Sequence, residues 1–173
     1  MVSLHGAENR VWVTYDQIPE NLINAAVAIE DKEFWNHHGV NWRRTIKGVI
    51  NMFTGQDIQG GSTITRQLIK NMTDYDDVTV KRKILEIFRA LDFDKTHDKR
   101  ITMEMYLNYI YLGKGCYGVS TAAQTYFGKE LSELSLAECA SLIAITNNPS
   151  IYGPNSTLRI TDEETGEVKT ARD

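Results

Sequence analysis

The sequence predicts a mainly α-helical protein built as one domain, and three observations lead to that prediction. The 173 residues suffice for one domain with its own core and are too few for two comfortable ones. Apolar residues make up 42% of the chain, an ordinary value for a folded protein. Over residues 19–146 they recur with a helical period, whereas strand-like alternation marks a short stretch at residues 11–15. We place the domain at residues 1–155 and a polar tail at residues 156–173.

Two helices are predicted after the short strand. Pro19 is well placed to open a helix over residues 19–29, because its fixed φ suits the first turn. Asn41 can cap a second helix that ends near Gly55, since an Asn side chain accepts hydrogen bonds from the free N–H groups of a helix start. The apolar residues of this second helix share one face: Trp42, Ile46, Val49, Ile50 and Phe53.

The next two helices are separated from the second by a glycine-rich turn at residues 59–61. Either Ser62 or Thr63 can cap the third helix. A fourth helix is predicted over residues 80–93. Its apolar period predicts a buried face made of Ile84, Ile87, Phe88 and Leu91.

The rest of the domain is predicted to hold three shorter helices. The fifth helix covers residues 101–110, and the sixth covers residues 120–127 after a run of glycines. Ser135 and Glu138 have the spacing of a capping box and open the last helix. The polar tail is predicted to form a loop or a weak hairpin with its turn at residues 164–166.

Composition excludes several classes of protein. The net charge of −4 argues against a nucleic-acid partner, because nucleic-acid-binding domains are usually basic. The two cysteines, Cys116 and Cys139, make no disulfide framework and either form one bridge or stay free. The longest unbroken apolar run, residues 25–29, is far shorter than the ~20 residues of a membrane span.

The stretch AIEDKEFWNHHG places an acidic pair, Glu30 and Asp31, at the end of an apolar helix. A metal site is disfavoured, because neither this pair nor His37 and His38 has the i, i+4 spacing that puts two ligands on one face. A partly desolvated carboxylate near Phe34 would suit proton transfer. On these residues alone, a solvated helix end remains the commoner explanation.

The stretch QGGSTITRQLIKN has the features of an anion site. Ser62 and Thr63 follow two glycines at a helix start, where free N–H groups, hydroxyls and the helix dipole favour negative charge. Gln67 and Lys70 lie three residues apart on one helix face, so Lys70 would add a positive charge. The alternative is a glycine-rich loop with an ordinary cap, which is common.

The stretch KRKILEIFRA groups charges on the predicted fourth helix. Arg82 and Lys83 lie four and three residues before Glu86, so both cations neighbour that carboxylate. Either the three form a surface ion-pair cluster, worth under about 1 kcal/mol, or they line a cleft that binds phosphate. Together with Glu30, Glu86 would complete a carboxylate pair suited to glycosyl chemistry, and the cations imply a phosphate leaving group.

These motifs resemble those of the peptidoglycan glycosyltransferase domain of bacterial cell-wall synthases, glycosyltransferase family 51. That family includes class A penicillin-binding proteins and monofunctional transglycosylases. Five motifs match in order: E-D-x-x-F-x-x-H-x-G at residues 30–39, G-S-T-I-x-x-Q at 61–67, R-K-x-x-E at 82–86, the fourth motif at 104–129 and the fifth at 136–150.

The resemblance implies a lysozyme-like helical fold with a large lobe and a small membrane-proximal lobe. It also implies polymerisation of lipid II, a disaccharide-pentapeptide on undecaprenyl diphosphate, into β-1,4 glycan strands with inversion. Glu30 would be the general base for the acceptor's 4-hydroxyl, and Glu86 would assist at the donor diphosphate, directly or through a cation. The expected substrate-binding residues are Ser62, Thr63, Gln67, Lys70, Arg82 and Lys83. The expected supporting residues are Asp31, Phe34, His37, Gly39 and Asn108.

The resemblance sets further expectations about partners and location. The partners would be lipid II, the growing glycan chain and the membrane surface on the outer face of the bacterial cytoplasmic membrane, with no nucleic acid. The parent protein could add a transpeptidase domain or bind other cell-wall synthesis proteins, and Mg²⁺ or Mn²⁺ could sit at the donor diphosphate. Arg66 stands where the family usually has Gln, and the family's N-terminal membrane helix is missing. We therefore expect a fragment trimmed at both ends.

Two other functions are compatible with the motifs. A lysozyme-like glycan hydrolase would also need a carboxylate at a helix end, but it has no diphosphate for the cations near Glu86 to bind. A non-catalytic module that binds lipid II or an antibiotic would have a degenerate site, whereas both Glu30 and Glu86 are present.

Overall fold

Helices dominate the computed structural model, which describes residues 9–54, 62–73, 80–153, 157–161 and 168–172. In chain order they are α1 (Glu20–Glu30), α2 (Trp42–Thr54), α3 (Ile64–Thr73), α4 (Val80–Thr96), α5 (Lys99–Tyr109), α6 (Val119–Phe127), α7 (Leu136–Ile145) and α8 (Pro149–Tyr152). The predicted mainly α class is therefore confirmed. The short helix α8 has no counterpart in the prediction, which treats that proline-containing stretch as irregular.

Short strands make two small pairs. β1 (Asn9–Arg10) lies parallel to β2 (Cys116–Tyr117), and β3 (Thr157–Thr161) lies antiparallel to β4 (Val168–Arg172). In the tail, predicted as a loop or a weak hairpin, β3 and β4 pair as the two arms of a hairpin. Its predicted turn, and the glycine-rich turn before α3, lie outside the described residues.

The predicted strand at residues 11–15 is wrong. The stretch is irregular and leads into a single 3₁₀ turn that begins at Tyr15. Side chains of α5 replace the missing strand partner, since the Val13 N–H donates to Asn108 Oδ1 at 2.9 Å and Asn108 Nδ2 donates to the Val13 carbonyl at 2.8 Å. The Tyr15 N–H likewise donates to Glu104 Oε2 at 2.8 Å.

The predicted helix caps are confirmed. Asn41 Oδ1 accepts a hydrogen bond at 3.1 Å from the N–H three residues along, at the start of α2. Ser135 and Glu138 form the capping box of α7 through reciprocal bonds of 3.3 and 2.8 Å. Of the two candidates for α3, Thr63 is the cap, because its Oγ1 accepts from the Arg66 N–H at 3.3 Å.

The apolar core lies where α1, α3, α5, α6 and α7 meet. Its largest fully buried side chains include Tyr106, Phe34 and Leu22. Both cysteines are buried as free thiols, so the second of the two alternatives for Cys116 and Cys139 is the observed one. Packing of these helices brings the ends of α1 and α7 together with the middle of α3, and this junction carries the site described below.

The predicted buried face of α4 is wrong. Ile84 and Phe88 are 51% and 65% exposed, whereas Glu86 and Ala90 are buried at 5% and 0%. The helix is rotated so that its carboxylate points inward, where cations of α3 and α4 surround it. Burial of a charge is tolerated only with such partners.

Three residues of the shared face of α2 are turned outward. Trp42, Ile46 and Ile50, spaced by four residues, are each more than half exposed, at 54%, 57% and 55%. Together they form an exposed apolar stripe on this helix. Among the described helices, none is both long and apolar enough to cross a bilayer.

Candidate active site

A cleft of about 410 Å³ opens beside the end of α1. Six of the predicted site residues line it: Glu30, Ser62, Gln67, Lys70, Lys83 and Glu86. The wall also contains Arg66, Tyr111, Thr146 and Asn147, which have no predicted role in the site. Both candidate catalytic carboxylates therefore face one cavity together with two lysines.

Glu30 is held by neutral hydrogen-bond donors. Gln67 Nε2 donates to Glu30 Oε2 at 2.7 Å, and Thr146 Oγ1 donates to Glu30 Oε1 at 2.6 Å. As the last residue of α1, Glu30 lies at the negative end of the helix dipole, which does not favour a carboxylate. The amide and the hydroxyl therefore supply the stabilisation that the helix end withholds.

Tyr106 is a third member of this arrangement, buried behind Gln67. Its hydroxyl donates to Gln67 Oε1 at 3.3 Å, which turns the amide NH₂ toward Glu30. Burial raises the pKa of Tyr106 well above its ordinary value, and the nearby charges of Glu30 and Asp31 raise it further. The phenol therefore stays protonated and remains a donor across the neutral pH range.

Glu86 is held by cations. Arg82 Nε lies 2.8 Å from Oε1, while Lys83 Nζ and Arg66 Nη2 lie 3.3 and 3.5 Å from Oε2. Burial by itself would raise the pKa of Glu86, but the hydrogen bond from Arg82 and the charge of Lys83 outweigh it, so the pKa is lowered. Glu86 is thus an ionised anchor for three positive charges.

Asp31, the neighbour of Glu30, joins three segments. It is fully buried, and its Oδ2 lies 2.7 Å from His37 Nε2 and accepts the first N–H of α3, from Ile64, at 3.1 Å. Arg44 Nη1, from α2, lies 3.6 Å from Asp31 Oδ1 and donates to the Glu30 carbonyl at 3.1 Å. Through these contacts, Asp31 and His37 fix the backbone that carries Glu30.

Phe34 and Gly39 complete the turn after Glu30. Phe34 is fully buried with its ring centroid 4.9 Å from that of Trp35. Gly39 has a φ of +75°, and a Cβ added there would lie 2.4 Å from the Ala90 carbonyl oxygen of α4. Only glycine fits this close approach between the turn after Glu30 and the helix that carries Glu86.

A second cavity of about 360 Å³ is also lined by Glu30. Lys32, Asn41, Arg43 and Arg44 are in its wall. Glu30 is therefore shared by the walls of two cavities.

Seven of the predicted site residues lie outside the cleft wall: Asp31, Phe34, His37 and Gly39, described above, and Thr63, Arg82 and Asn108. Thr63 is fully buried, and its hydroxyl donates to the Gly39 carbonyl at 2.7 Å, so the structure gives it a capping role in place of the predicted substrate contact. Arg82 reaches Glu86 and does not line the cleft. Asn108, predicted to be supporting, is fully buried and bonded to the Val13 backbone.

Three residues that hold the two carboxylates could not be found from local sequence patterns. Thr146 lies 116 positions from Glu30, and no local pattern singles out a threonine after a helix end. Arg66 was noted as a departure from the family pattern, and its contact with Glu86 follows from α3 packing on α4. Tyr106 lies inside the fourth motif, where its helical period indicates only a core residue.

The residues around Glu86 do not fit a divalent cation. Three positive side chains already surround this carboxylate, and a fourth cation would be repelled. Among the described residues, no group of three or more His, Cys, Asp and Glu side chains could hold a metal ion. No step below is assigned to a metal.

Comparison with known proteins agrees with the motifs. A family model described as "Transglycosylase" matches residues 1–171. The chain belongs to the transglycosylase family. It is 47% identical over 150 residues to penicillin-binding protein 1A of Aquifex aeolicus, covering 86% of this chain and 21% of the relative. It is 39% identical over 155 residues to penicillin-binding protein 1A of Escherichia coli, covering 89% of this chain and 18% of the relative.

A third relative of this transglycosylase is penicillin-binding protein 1F of Bacillus subtilis, 40% identical over 148 residues, with 85% of this chain and 21% of the relative covered. The chain thus spans about a fifth of the length of the curated relatives it matches.

Proposed function

We propose that this transglycosylase polymerises lipid II into β-1,4 glycan strands, with inversion and release of undecaprenyl diphosphate. The observation that carries the proposal is the position of Glu30, a residue that lines both the cationic cleft and the second cavity. Two sugar substrates, one in each cavity, would meet at this side chain. A hydrolase would have no diphosphate for the cations to bind.

The cleft suits the donor, the growing chain on its diphosphate. Lys70 and Lys83 line the cleft beside Ser62, and the exposed parts of both lysines are free to reach phosphate oxygens. Lys83 is held 3.3 Å from Glu86, which keeps its charge at the cleft before substrate arrives. Glu86 thus assists the leaving group through the cations that it positions.

The second cavity suits the acceptor, whose 4-hydroxyl would point at Glu30. In the reaction the acceptor oxygen bonds to the anomeric carbon while the bond from that carbon to the phosphate oxygen breaks. Glu30 takes the hydroxyl proton, and the diphosphate leaves with the bonding electron pair toward the lysines. Attack from the side opposite the leaving group inverts the α-linked donor into a β-1,4 product.

The test of this proposal is lipid II polymerisation by Glu30→Gln in detergent. We expect a loss of about a hundredfold or more in rate, because the amide cannot accept the proton. Glu20→Gln, an exposed change in the first turn of the same helix, is the matched control and should polymerise normally. Equal activity of Glu30→Gln and the control would overturn the assignment of Glu30 as general base.

We further propose that the protein contacts a membrane surface, the outer face of the bacterial cytoplasmic membrane, where lipid II would be polymerised. The exposed stripe of Trp42, Ile46 and Ile50 supports it, since such apolar faces mark contact with a partner or a lipid surface. We expect Ile46→Ser with Ile50→Ser to weaken flotation with phosphatidylglycerol vesicles. Leu136→Ser, at an exposed apolar position of α7, is the control. Unchanged flotation of the double variant would contradict this extension.

We also propose that the parent protein carries a further domain that binds penicillin. The relatives support this, because they are named penicillin-binding proteins. The part of each relative that this chain matches is only about a fifth of its length.

A further inference from the structure

The two oxygens of Glu30 have chemically different partners. Oε2 faces the NH₂ of Gln67 at 2.7 Å, and an amide NH₂ can donate a hydrogen bond but cannot accept one. Oε1 faces the Thr146 hydroxyl at 2.6 Å, and a hydroxyl can do either. The difference matters because a general base needs satisfied hydrogen bonds both before and after it takes up a proton.

Thr146 has a second acceptor within reach. Its Oγ1 lies 2.7 Å from the Ile143 carbonyl as well as 2.6 Å from Glu30 Oε1. A hydroxyl has one hydrogen, so it serves one of these acceptors at a time. While Glu30 is ionised, the charged oxygen is the stronger acceptor and receives the hydrogen.

After Glu30 takes up a proton, the same atoms can reverse the bond. The neutral acid donates its O–H from Oε1 to Thr146 Oγ1, and the Thr146 hydrogen turns to the Ile143 carbonyl. No heavy atom has to move, because both acceptors already lie at hydrogen-bond distance. Gln67 cannot reverse in this way, since Tyr106 donates to its carbonyl oxygen and keeps the NH₂ toward Glu30.

We propose that Thr146 is a positioning residue whose hydroxyl reverses its hydrogen bond as Glu30 takes the proton of the acceptor hydroxyl. Oε1 is then the oxygen that carries the proton, because its partner is satisfied in both protonation states. This inference rests on the proposed function of Glu30 as general base. Thr146 acts through Glu30 and needs no contact with the substrate.

Other charged groups around Glu30 stay in place when Thr146 is changed. The charged and titratable groups that face Glu30 or line its two cavities are Asp31, Lys32 and Glu33 after α1, Arg43 and Arg44 of α2, Arg66 and Lys70 of α3, Lys83 and Glu86 of α4, Tyr106 of α5, and Tyr111. On the α7 side the groups in the cleft, Thr146 and Asn147, are neutral. A change of pH dependence on removal of the hydroxyl therefore reports the hydrogen bond itself.

The experiment compares Thr146→Val with Thr146→Ser in lipid II polymerisation between about pH 5 and pH 9. Loss of a donor to the ionised base should lower kcat about tenfold or more and move the acid limb of the pH profile up by about one unit, with KM for lipid II nearly unchanged. Thr146→Ser keeps the hydroxyl and should restore both kcat and the position of the acid limb. Thr146→Ala serves as a second deletion if the valine variant does not fold, as judged by its thermal unfolding.

The outcomes separate this inference from the proposed function. Two results would overturn the role of Thr146. One is a wild-type pH profile in both Thr146→Val and Thr146→Ala. The other is a lower rate with no shift of the pH profile, and with no recovery of the rate in Thr146→Ser. A Glu30→Gln protein with full activity would instead overturn the proposed function. Adding Thr146→Val to Glu30→Gln should cost little further rate, because the hydroxyl acts through the carboxylate.

Discussion

Glu30 and Glu86 line the same cleft but are supported by opposite means. Glu30 receives hydrogen bonds from an amide and a hydroxyl, neither of which carries charge. Glu86 is buried among Arg66, Arg82 and Lys83, and Arg82 and Lys83 lower its pKa against the effect of burial. A carboxylate with neutral donors remains able to take a proton, whereas a carboxylate among three cations stays an anion. The same side chain is thus suited to the proposed role of base in one place and to the role of anchor in the other.

The contact between the segments that carry these two carboxylates is at Gly39. Gly39→Ala would put a Cβ 2.4 Å from the Ala90 carbonyl oxygen at a φ of +75°, so it should force the turn after Glu30 away from α4. We expect the free energy of unfolding to fall by about 3 kcal/mol, with loss of most polymerisation activity. Urea unfolding and lipid II assays measure both effects.

Gly48 provides the matched control for this change. A Cβ added there meets no atom within 4 Å, and the residue lies inside α2. Gly48→Ala should therefore leave activity unchanged and raise stability by about 0.5–1 kcal/mol. Equal unfolding midpoints for the two variants would contradict a tight contact at Gly39.

Glu86→Gln is expected to have the next largest effect. It leaves three cations without their anion, so we expect a loss of about 2 kcal/mol in stability at pH 7 and roughly tenfold in polymerisation rate. Because the pKa of Glu86 is lowered in the folded protein, its stabilisation is present above its unfolded pKa of about 4.3 and fades as the pH falls through the folded value.

Urea unfolding of the wild type and Glu86→Gln at pH 7 and pH 3 checks this sign. The stability difference between the two proteins should be large at pH 7 and smaller at pH 3. A difference that grows on acidification would show that Glu86 is not the ionised anchor described here.

Glu138 is a third carboxylate, in a different environment, and its replacement is expected to have the smallest effect. A hydrogen bond from Lys129, joined by those from Ser135, lowers the pKa of Glu138 to about 2. Its contribution to stability is therefore present above about pH 4.5 and is lost as the pH falls toward 2. Glu138→Gln should destabilise the protein slightly at pH 7, less at pH 3, and leave polymerisation unchanged. Lys129→Met should mimic it, and a rate loss in either would contradict a purely capping role.

Local patterns predicted most of the fold. The period of apolar residues located the helices, and the caps at Asn41 and Ser135 follow from chemistry within three residues of chain. The strand at residues 11–15 failed because its partners, Asn108 and Glu104, are more than 85 positions away. A local pattern cannot contain a hydrogen bond to a distant helix.

The candidate site was predicted in part for the same reason. Motif resemblance nominated Glu30, Gln67 and Glu86, which the structure brings to one cleft. The buried side of α4 was mispredicted because hydrophobicity alone cannot foresee a carboxylate turned inward toward Arg66 of another helix. The contact of Thr146 with Glu30 could not be predicted, because it depends on how the end of α7 packs against the end of α1.

The two buried thiols make the protein convenient for labelling. Cys116 and Cys139 are the only cysteines of the chain, and they are 2% and 0% exposed. A maleimide dye added to the native protein would therefore react first with a cysteine introduced on the surface. Placed at Lys32, in the wall of the second cavity, or at Asn71, in the wall of the cleft, such a dye would report the arrival of each sugar substrate separately.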